Sequence, residues 1–280
     1  MILWGNSISF EDYPLEQALE IMHQAGFTGV EMWKPQLRRC RTAELRKRFA
    51  AYAAGKGLAL GGLNVVGEAY FQPFGDEAQR RNTLEGVKAD VDYAVSLGVR
   101  DVLIWEGIRP PGLSHRQVLD LLAPLTALLG AAVEYAKANG ARILVEPHPF
   151  TVGMNDEFLI RLCDALPAQD FGITFDFCHY GVGRPQDYVQ AVYRLGSRIQ
   201  HVHFADTDQR SSELHLVPGE GVLDLTALLR ALRDIGYSGQ LALDLYGHPT
   251  PGAAARRGLP KLREANLALA APPGTASLLG

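Results

Sequence analysis

The sequence is poor in cysteine, in basic charge and in long apolar runs, and each shortage removes a class of protein. Cys40, Cys163 and Cys178 are the three cysteines in 280 residues. An odd, sparse set argues against a disulfide framework and fits a reducing cytosol, so a cytoplasmic location is expected. Lys+Arg number 27 against 31 Asp+Glu, a formal net charge of −4. The basic triplet Arg46-Lys47-Arg48 reads as a solvated helix face. Such a chain is a poor candidate for non-specific nucleic-acid binding, and no nucleic-acid partner is expected. No stretch approaches 18 consecutive apolar residues, so no membrane span is expected. Met1-Ile2-Leu3-Trp4-Gly5 lacks the basic and long apolar segments of a signal peptide. No Gly-x-Gly-x-x-Gly turn follows an early strand, which counts against an open dinucleotide-binding sheet. With 47% hydrophobic and 21% charged residues, the composition is that of a folded globular chain rather than a disordered one.

What is present is a repeated unit. A helical stretch ends in a short glycine-containing turn and an apolar run follows. The pattern occurs at Gly26 before Val30–Trp33, at Gly57 before Leu58–Leu63, at Gly98 before Asp101–Trp105, at Gly140 before Arg142–Glu146 and at Gly236 before Gln240–Leu245. Glycine accepts the left-handed conformation that closes a helix, and the apolar run enters a buried strand. Met1–Trp4, Phe171–Asp176 and Ile199–Phe204 complete eight strand candidates, spaced roughly 35 residues apart, the repeat of a (β/α)8 TIM barrel. Between them lie helical segments. Pro14 sits at a first turn, Thr42 caps a helix to about Ala54, and Asp76–Leu97 carries Leu84, Val87, Val91 and Val95 on one face. Ser114 and Gln117 have capping-box spacing, Pro124 breaks or offsets the following helix, Asp224 caps Leu225–Asp234, and Ala253–Ala270 forms the last helix. One barrel domain over residues 1–270 is expected, followed by a poorly ordered tail, 271–280.

In such a barrel the chemistry lies at the C-terminal ends of the strands. Strand five ends in Leu144-Val145-Glu146-Pro147-His148 and strand six in Phe175-Asp176-Phe177-Cys178-His179. Strand seven carries His201-Val202-His203-Phe204-Ala205-Asp206, and strand eight ends in Leu243-Asp244-Leu245-Tyr246. Isolated carboxylates in apolar runs are costly unless something neutralises them. One Glu, two Asp and one His from four successive strands form an oxygen-rich ligand set. It suits a divalent metal, Mn2+ or Mg2+ before Co2+ or Zn2+. A network of buried ion pairs is the alternative.

These segments, with His215-Leu216-Val217-Pro218-Gly219-Glu220-Gly221 before Asp224 and Gly236-Tyr237-Ser238-Gly239 before Asp244, resemble the sugar phosphate isomerase/epimerase family with its xylose isomerase-like TIM barrel, related in fold to endonuclease IV. The resemblance covers nearly the whole chain. It implies that Glu146, Asp176 and His203 are metal ligands and that the fourth ligand position, usually Glu, is occupied here by the shorter Asp244. It further implies that His179 and His215 contact substrate, and that Glu146 and Asp244 form the acid–base pair. The implied activity is a metal-dependent isomerisation or epimerisation of a small keto-sugar or polyol ketone through an enediolate. The implied partner is the small-molecule sugar or polyol itself. Dimers and tetramers are common in that family, while the residues leave the oligomeric state open.

Other residues carry competing readings. Glu106 and Glu31 end strands four and two, where they can face the pocket and bind hydroxyls. Trp105, Trp4, Trp33 and Phe71 can form an apolar wall for a sugar ring or pack in the barrel. His148 follows Pro147 in a loop beside the pocket, His201 reads as a hydrogen-bonded barrel residue, and His23 and His115 as solvated. Cys178 as a thiol nucleophile is disfavoured because neighbours at a strand end point opposite ways. Asn64–Asp76 reads as a lid with Gly67 and Gly75 as hinges. The absence of a phosphate-cradling glycine loop favours a non-phosphorylated substrate. An inosose-type dehydratase, which tolerates a short Asp244, and a non-catalytic or partner-dependent sugar-binding barrel remain open. A repair endonuclease lacks the extra ligands and the basic groove.

Overall fold

The protein is described by a computed structural model covering residues 2–270; the tail expected at 271–280 lies outside the described residues. Strand and helix alternate from end to end. The elements are β1 (Trp4–Asn6), α1 (Leu15–Ala25), β2 (Gly29–Trp33), α2 (Ala43–Gly55), β3 (Ala59–Asn64), α3 (Glu77–Leu97), β4 (Asp101–Ile104), α4 (His115–Asp120) and α5 (Leu122–Ala138). They continue as β5 (Arg142–Val145), α6 (Asp156–Asp164), β6 (Phe171–Asp176), α7 (Phe177–Gly183), α8 (Tyr188–Leu195), β7 (Ile199–Phe204), α9 (Leu225–Asp234), β8 (Gln240–Leu243) and α10 (Pro251–Ala270). The eight strands pair in parallel in sequence order and close, β8 back onto β1, into a barrel. This is the expected (β/α)8 architecture.

Local chemistry explains the helices. The Asp76 side chain and Gln79 form a reciprocal capping box on α3, Ser114 and Gln117 do the same on α4, and Asp224 caps α9. Gly26 and Gly98 adopt left-handed φ at the ends of α1 and α3. Apolar residues at helical spacing face the barrel, as Leu225, Leu228, Leu229 and Leu232 do on α9. Burying each such side chain contributes roughly 1.5–3 kcal/mol. The stretch His115–Ala138 is long and apolar enough by composition to cross a bilayer. It is divided at Leu121, with Pro124 in the first turn of α5, and α5 buries Leu125, Leu129, Ala132, Val133 and Ala136 against the barrel.

Three expectations shift. The first strand begins at Trp4 and runs to Asn6, because Leu3 spends its carbonyl on Thr28 and Gly29 and the polar Asn6 pairs in register with Glu31. Cys178 and His179 do not extend strand six. Asp176 accepts the His179 backbone N–H at 2.8 Å and so caps α7, turning the chain into a helix at once. Trp4 does not reach the mouth. Its ring fills the barrel over β2 and β3, where a Cβ on Gly29 or Gly61 would stand 2.4 or 2.5 Å from it.

The segment expected as a lid is docked on α3. Tyr70 donates its hydroxyl to the buried Asp90, Thr83 donates to the Tyr70 carbonyl at 3.0 Å, and the Gln72 N–H donates to Thr83 Oγ1 at 2.8 Å. The Tyr70 ring sits in a notch left by Gly86, where a Cβ would lie 2.3 Å from it. Gly67 takes a positive φ of 79°, but Gly75 does not. Gly86→Val is therefore expected to lower stability by about 1–3 kcal/mol through overpacking. Gly130→Ala in α5, whose Cβ would meet only Leu166 at 3.7 Å, is expected to raise it by up to ~1 kcal/mol through helix propensity. Chemical denaturation of both variants checks the pair of opposite signs.

Candidate active site

Glu146 and Asp244 each lie one residue past a strand end. Both are held in the ladder, Glu146 N–H on the Ile104 carbonyl at 2.9 Å and Asp244 N–H on that of Phe204 at 3.3 Å. Asp176 and His203 face each other in register on β6 and β7. The result is a convergence around one ring nitrogen. His203 Nδ1 lies 2.5 Å from Glu146 Oε1, 3.5 Å from Asp176 Oδ2 and 3.6 Å from Asp244 Oδ2. All four side chains are buried. Asp176 Oδ2 has no hydrogen-bond partner, which is unusual for a buried carboxylate and fits a site that expects a cation.

Asp244 is drawn to the edge of this group. Asn6 donates to its Oδ2 at 2.7 Å, and the Tyr246 N–H donates to its Oδ1 at 2.9 Å. Accordingly, Glu146, Asp176 and His203 present ligand atoms within 4.8 Å of one another, a spacing able to hold a metal ion, and Asp244 stands beside them. Among the described residues, two other groupings meet the same spacing. Asp176–Cys178–His215 is the softer set. In Glu31–His201–His203 both Glu31 oxygens are already engaged, by His201 Nε2 at 2.7 Å and His203 Nε2 at 3.0 Å. Glu31 thus does not face the pocket as expected. It stands behind His203 and leaves Nδ1 as the ring nitrogen turned to the carboxylates, the arrangement that orients metal-binding histidines.

The cavity above is about 140 Å³. Trp33 and Trp105 line it, and each leaves a buried indole N–H unpartnered. His148, His179 and His215 line it too, as do Asn64, Gly67, Ser212, Glu213 and Tyr246. His179 Nδ1 is 3.2 Å from the Pro147 carbonyl, so Nδ1 carries the proton and Nε2 is free to accept. Both nitrogens of His215 lack a hydrogen-bond partner, the nearest acceptor being Asp244 Oδ1 at 3.3 Å. Glu106, expected at the substrate, does not line this cavity. Its carboxylate is fully buried behind the β5–α6 loop and accepts the Gly153 N–H at 2.5 Å. Phe71 lies in a neighbouring apolar recess that shares Trp105 and Gly67 with the site. Cys178 is buried in α7 with its thiol toward the Ser211 and Leu214 carbonyls, while His23 and His115 are exposed.

Several contributors escape a reading of strand ends. Asn6 sits on a strand of three residues, too short to show periodicity. Ser212, Glu213 and His215 belong to the long loop between β7 and α9. Asp206 staples that loop by accepting N–H groups from Thr207 at 2.8 Å, Gly219 at 2.9 Å and Leu223 at 3.1 Å. The sequence signal was Asp206 followed by Pro218-Gly219-Glu220-Gly221, and its meaning is structural.

The electrostatics follow from burial. Burial pushes Glu146 up to about 7 against the pull of His203, with Asp176 and Asp244 adding to the rise. Burial also raises Asp176, but His179, His215 and His203 outweigh it and hold this carboxyl below the usual range. Burial lowers His203, yet Glu31 and Glu146 carry it well above an ordinary histidine. Burial raises Glu106 to about 7.

A family model described as xylose isomerase-like TIM barrel matches residues 19–265. Among curated relatives, fructoselysine 3-epimerase of Shigella flexneri is 26% identical over 254 residues, covering 83% of this chain and 85% of its own. Inosose dehydratase of Geobacillus thermodenitrificans is 24% identical over 273 residues, covering 88% and 85%. An uncharacterized protein of Methanocaldococcus jannaschii is 29% identical over 173 residues, and the chain spans 58% of that protein's length. Among solved structures, the IOLI protein with a bound zinc atom superposes with a TM-score of 0.77 at 19% identity, covering 96% of this chain and 98% of that one.

Two outcomes follow. Binding of Mn2+ is expected to tighten from pH 6 to pH 8 with release of about one proton or more per ion, because His203 must lose its Nδ1 proton; Glu31→Gln is expected to weaken binding about 10–100-fold. Calorimetric titration in two buffers measures both. Glu106 has a folded pKa of about 7 against 4.5, so its effect on stability is lost as pH rises through that window. Relative to wild type, Glu106→Gln is expected to gain up to about 3 kcal/mol between pH 5 and pH 8, read from denaturation midpoints.

Proposed function

Since the chain belongs to the xylose isomerase-like TIM barrel family, we propose that it is a divalent-metal-dependent epimerase or isomerase of a small keto-sugar or polyol ketone. The observation that carries this reading is the convergence of Glu146, Asp176 and Asp244 on His203 Nδ1 beneath a cavity walled by Trp33 and Trp105. Relatives named for epimerase and dehydratase activities support an enzyme of this chemistry. The three cysteines are free and fit a reducing compartment.

Glu146, Asp176 and His203 would hold the ion, with Asp244 beside them. A bound divalent cation, Mn2+ or Mg2+ for so oxygen-rich a set, would polarise a substrate carbonyl and acidify the neighbouring C–H. The protein's own groups do the rest. Glu146 takes the proton, the C–H electron pair becomes the C=C bond of an enediolate, and the carbonyl π pair moves onto oxygen. Asp244, once it has taken a proton from solvent, returns one to the opposite face. Return to the same carbon inverts it; return to the adjacent carbon interchanges aldose and ketose. His179 Nε2 accepts and His215 donates to substrate hydroxyls, and the two indole N–H groups supply further donors.

A second reading is favoured by the ties on Asp244. A carboxylate engaged by Asn6 at 2.7 Å and by the Tyr246 N–H at 2.9 Å is a restrained base, and loss of water needs only Glu146 as base and a leaving hydroxyl. Incubating the Mn2+-loaded protein in D2O with a panel of ketohexoses and inososes separates the two. Deuterium incorporation beside the carbonyl with inversion or isomerisation is expected, falling about 10²–10⁴-fold in Glu146→Gln and disappearing with a chelator. Loss of water without inversion selects the dehydratase reading. No exchange with any member of the panel contradicts both.

A further inference from the structure

The mouth of the cavity carries a charge that the chemistry above does not use. Glu213 lines the cavity with its side chain 53% exposed, and no lysine or arginine lines the same space. Its one ring partner is His148, whose side chain is only 3% exposed and whose Nε2 lies 3.2 Å from Glu213 Oε1. The His148 ring is neutral on geometric grounds. Its Nδ1 accepts the Phe150 backbone N–H at 3.3 Å, so that nitrogen holds no proton and Nε2 must hold one. Glu213 therefore accepts a hydrogen bond without being neutralised by it. Glu11, nearby, is raised by burial and by the charges of Asp12 and Glu213, which places a second acidic group within the field of the first. The same cavity is built for a ligand: His215, 2% exposed, lines it with an unpartnered Nε2.

The geometry points to Glu213 as a specificity-determining residue that selects a substrate bearing a protonated amine, such as an amino-deoxy ketose or a ketose–amine conjugate, over neutral and phosphorylated sugars. This rests on the proposed sugar chemistry and deepens it. A carboxylate at a half-closed mouth, with one oxygen committed to a neutral imidazole and the other open, is a charge-assisted acceptor for an ammonium group. A phosphate in the same place would meet the open Glu213 carboxylate at the rim with no lysine or arginine in the lining to offset it, and like charges there disfavour it.

The test measures binding, not turnover. The Mn2+-loaded protein is titrated with a ketohexose, its 1-amino-1-deoxy and 6-amino-6-deoxy derivatives, and its 1-phosphate. Calorimetry and the fluorescence of Trp33 and Trp105 follow binding. One of the amines is expected to bind about tenfold tighter than the neutral ketose, in keeping with a hydrogen bond to a charged group. The phosphate should bind weaker than either. In Glu213→Gln, whose amide oxygen still accepts from His148, the amine-to-neutral ratio should fall below about twofold, and in wild type that ratio should shrink with added salt. Equal binding of amine and neutral sugar, tightest binding of the phosphate, a ratio that survives Glu213→Gln, or no binding of any of the four overturns the assignment. An amine preference without any deuterium exchange leaves this assignment standing and removes the epimerase reading; exchange without an amine preference does the reverse.

Discussion

Three carboxylates converge on one imidazole in a space that water scarcely reaches, and this arrangement organises the mouth of the barrel. Glu146, Asp176 and Asp244 come from strands far apart in sequence, yet the closed parallel barrel brings them within 2.5–3.6 Å of His203 Nδ1. Like charges held so close in a low dielectric repel strongly. Burial and the neighbouring Asp176 and Asp244 raise Glu146, and Glu31 and Glu146 raise His203. A divalent ion would satisfy Asp176 Oδ2, which makes no hydrogen bond.

Around this centre the protein layers fixed partners. Glu31 and His201 sit behind His203 and determine which ring nitrogen faces the ion. Asn6 restrains Asp244. Asp206 ties down the long loop that brings Ser212, Glu213 and His215 over the cavity. On the far rim, Tyr70 in the Gly86 notch docks the β3–α3 segment onto its helix, leaving Gly67 at the cavity edge. Rigid strands thus supply the charged groups and anchored loops supply the walls, the division of labour that lets one barrel host many substrates.

Much of this was legible in the chain. The helix–glycine–strand repeat counted eight units, and the caps Asp76, Ser114 and Asp224 mark true helix starts. Glu146, Asp176, His203 and Asp244 could be placed at one level because each lies at or just past the end of an apolar run. What was not legible depends on register and on loops. Glu31 and Glu106 read as strand ends like the others, but Glu31 lies in the middle of β2 and turns inward beneath His203, while Glu106 follows β4 and is sealed under Gly153. Asp176 doubles as a helix cap, which moved Cys178 and His179 off the strand. Asn6 was hidden by a strand of three residues. Glu213 lies in a loop whose path is set by Asp206, a long-range constraint that periodicity does not reveal.

The measurement that bears most directly on the central claim is anomalous diffraction at the manganese edge from crystals grown with Mn2+. One peak coordinated by Glu146, Asp176 and His203, with Asp244 reaching the ion directly or through a water, is the predicted result. A peak bound by Glu31 and His201, or none within the barrel mouth at saturating Mn2+, would contradict the account.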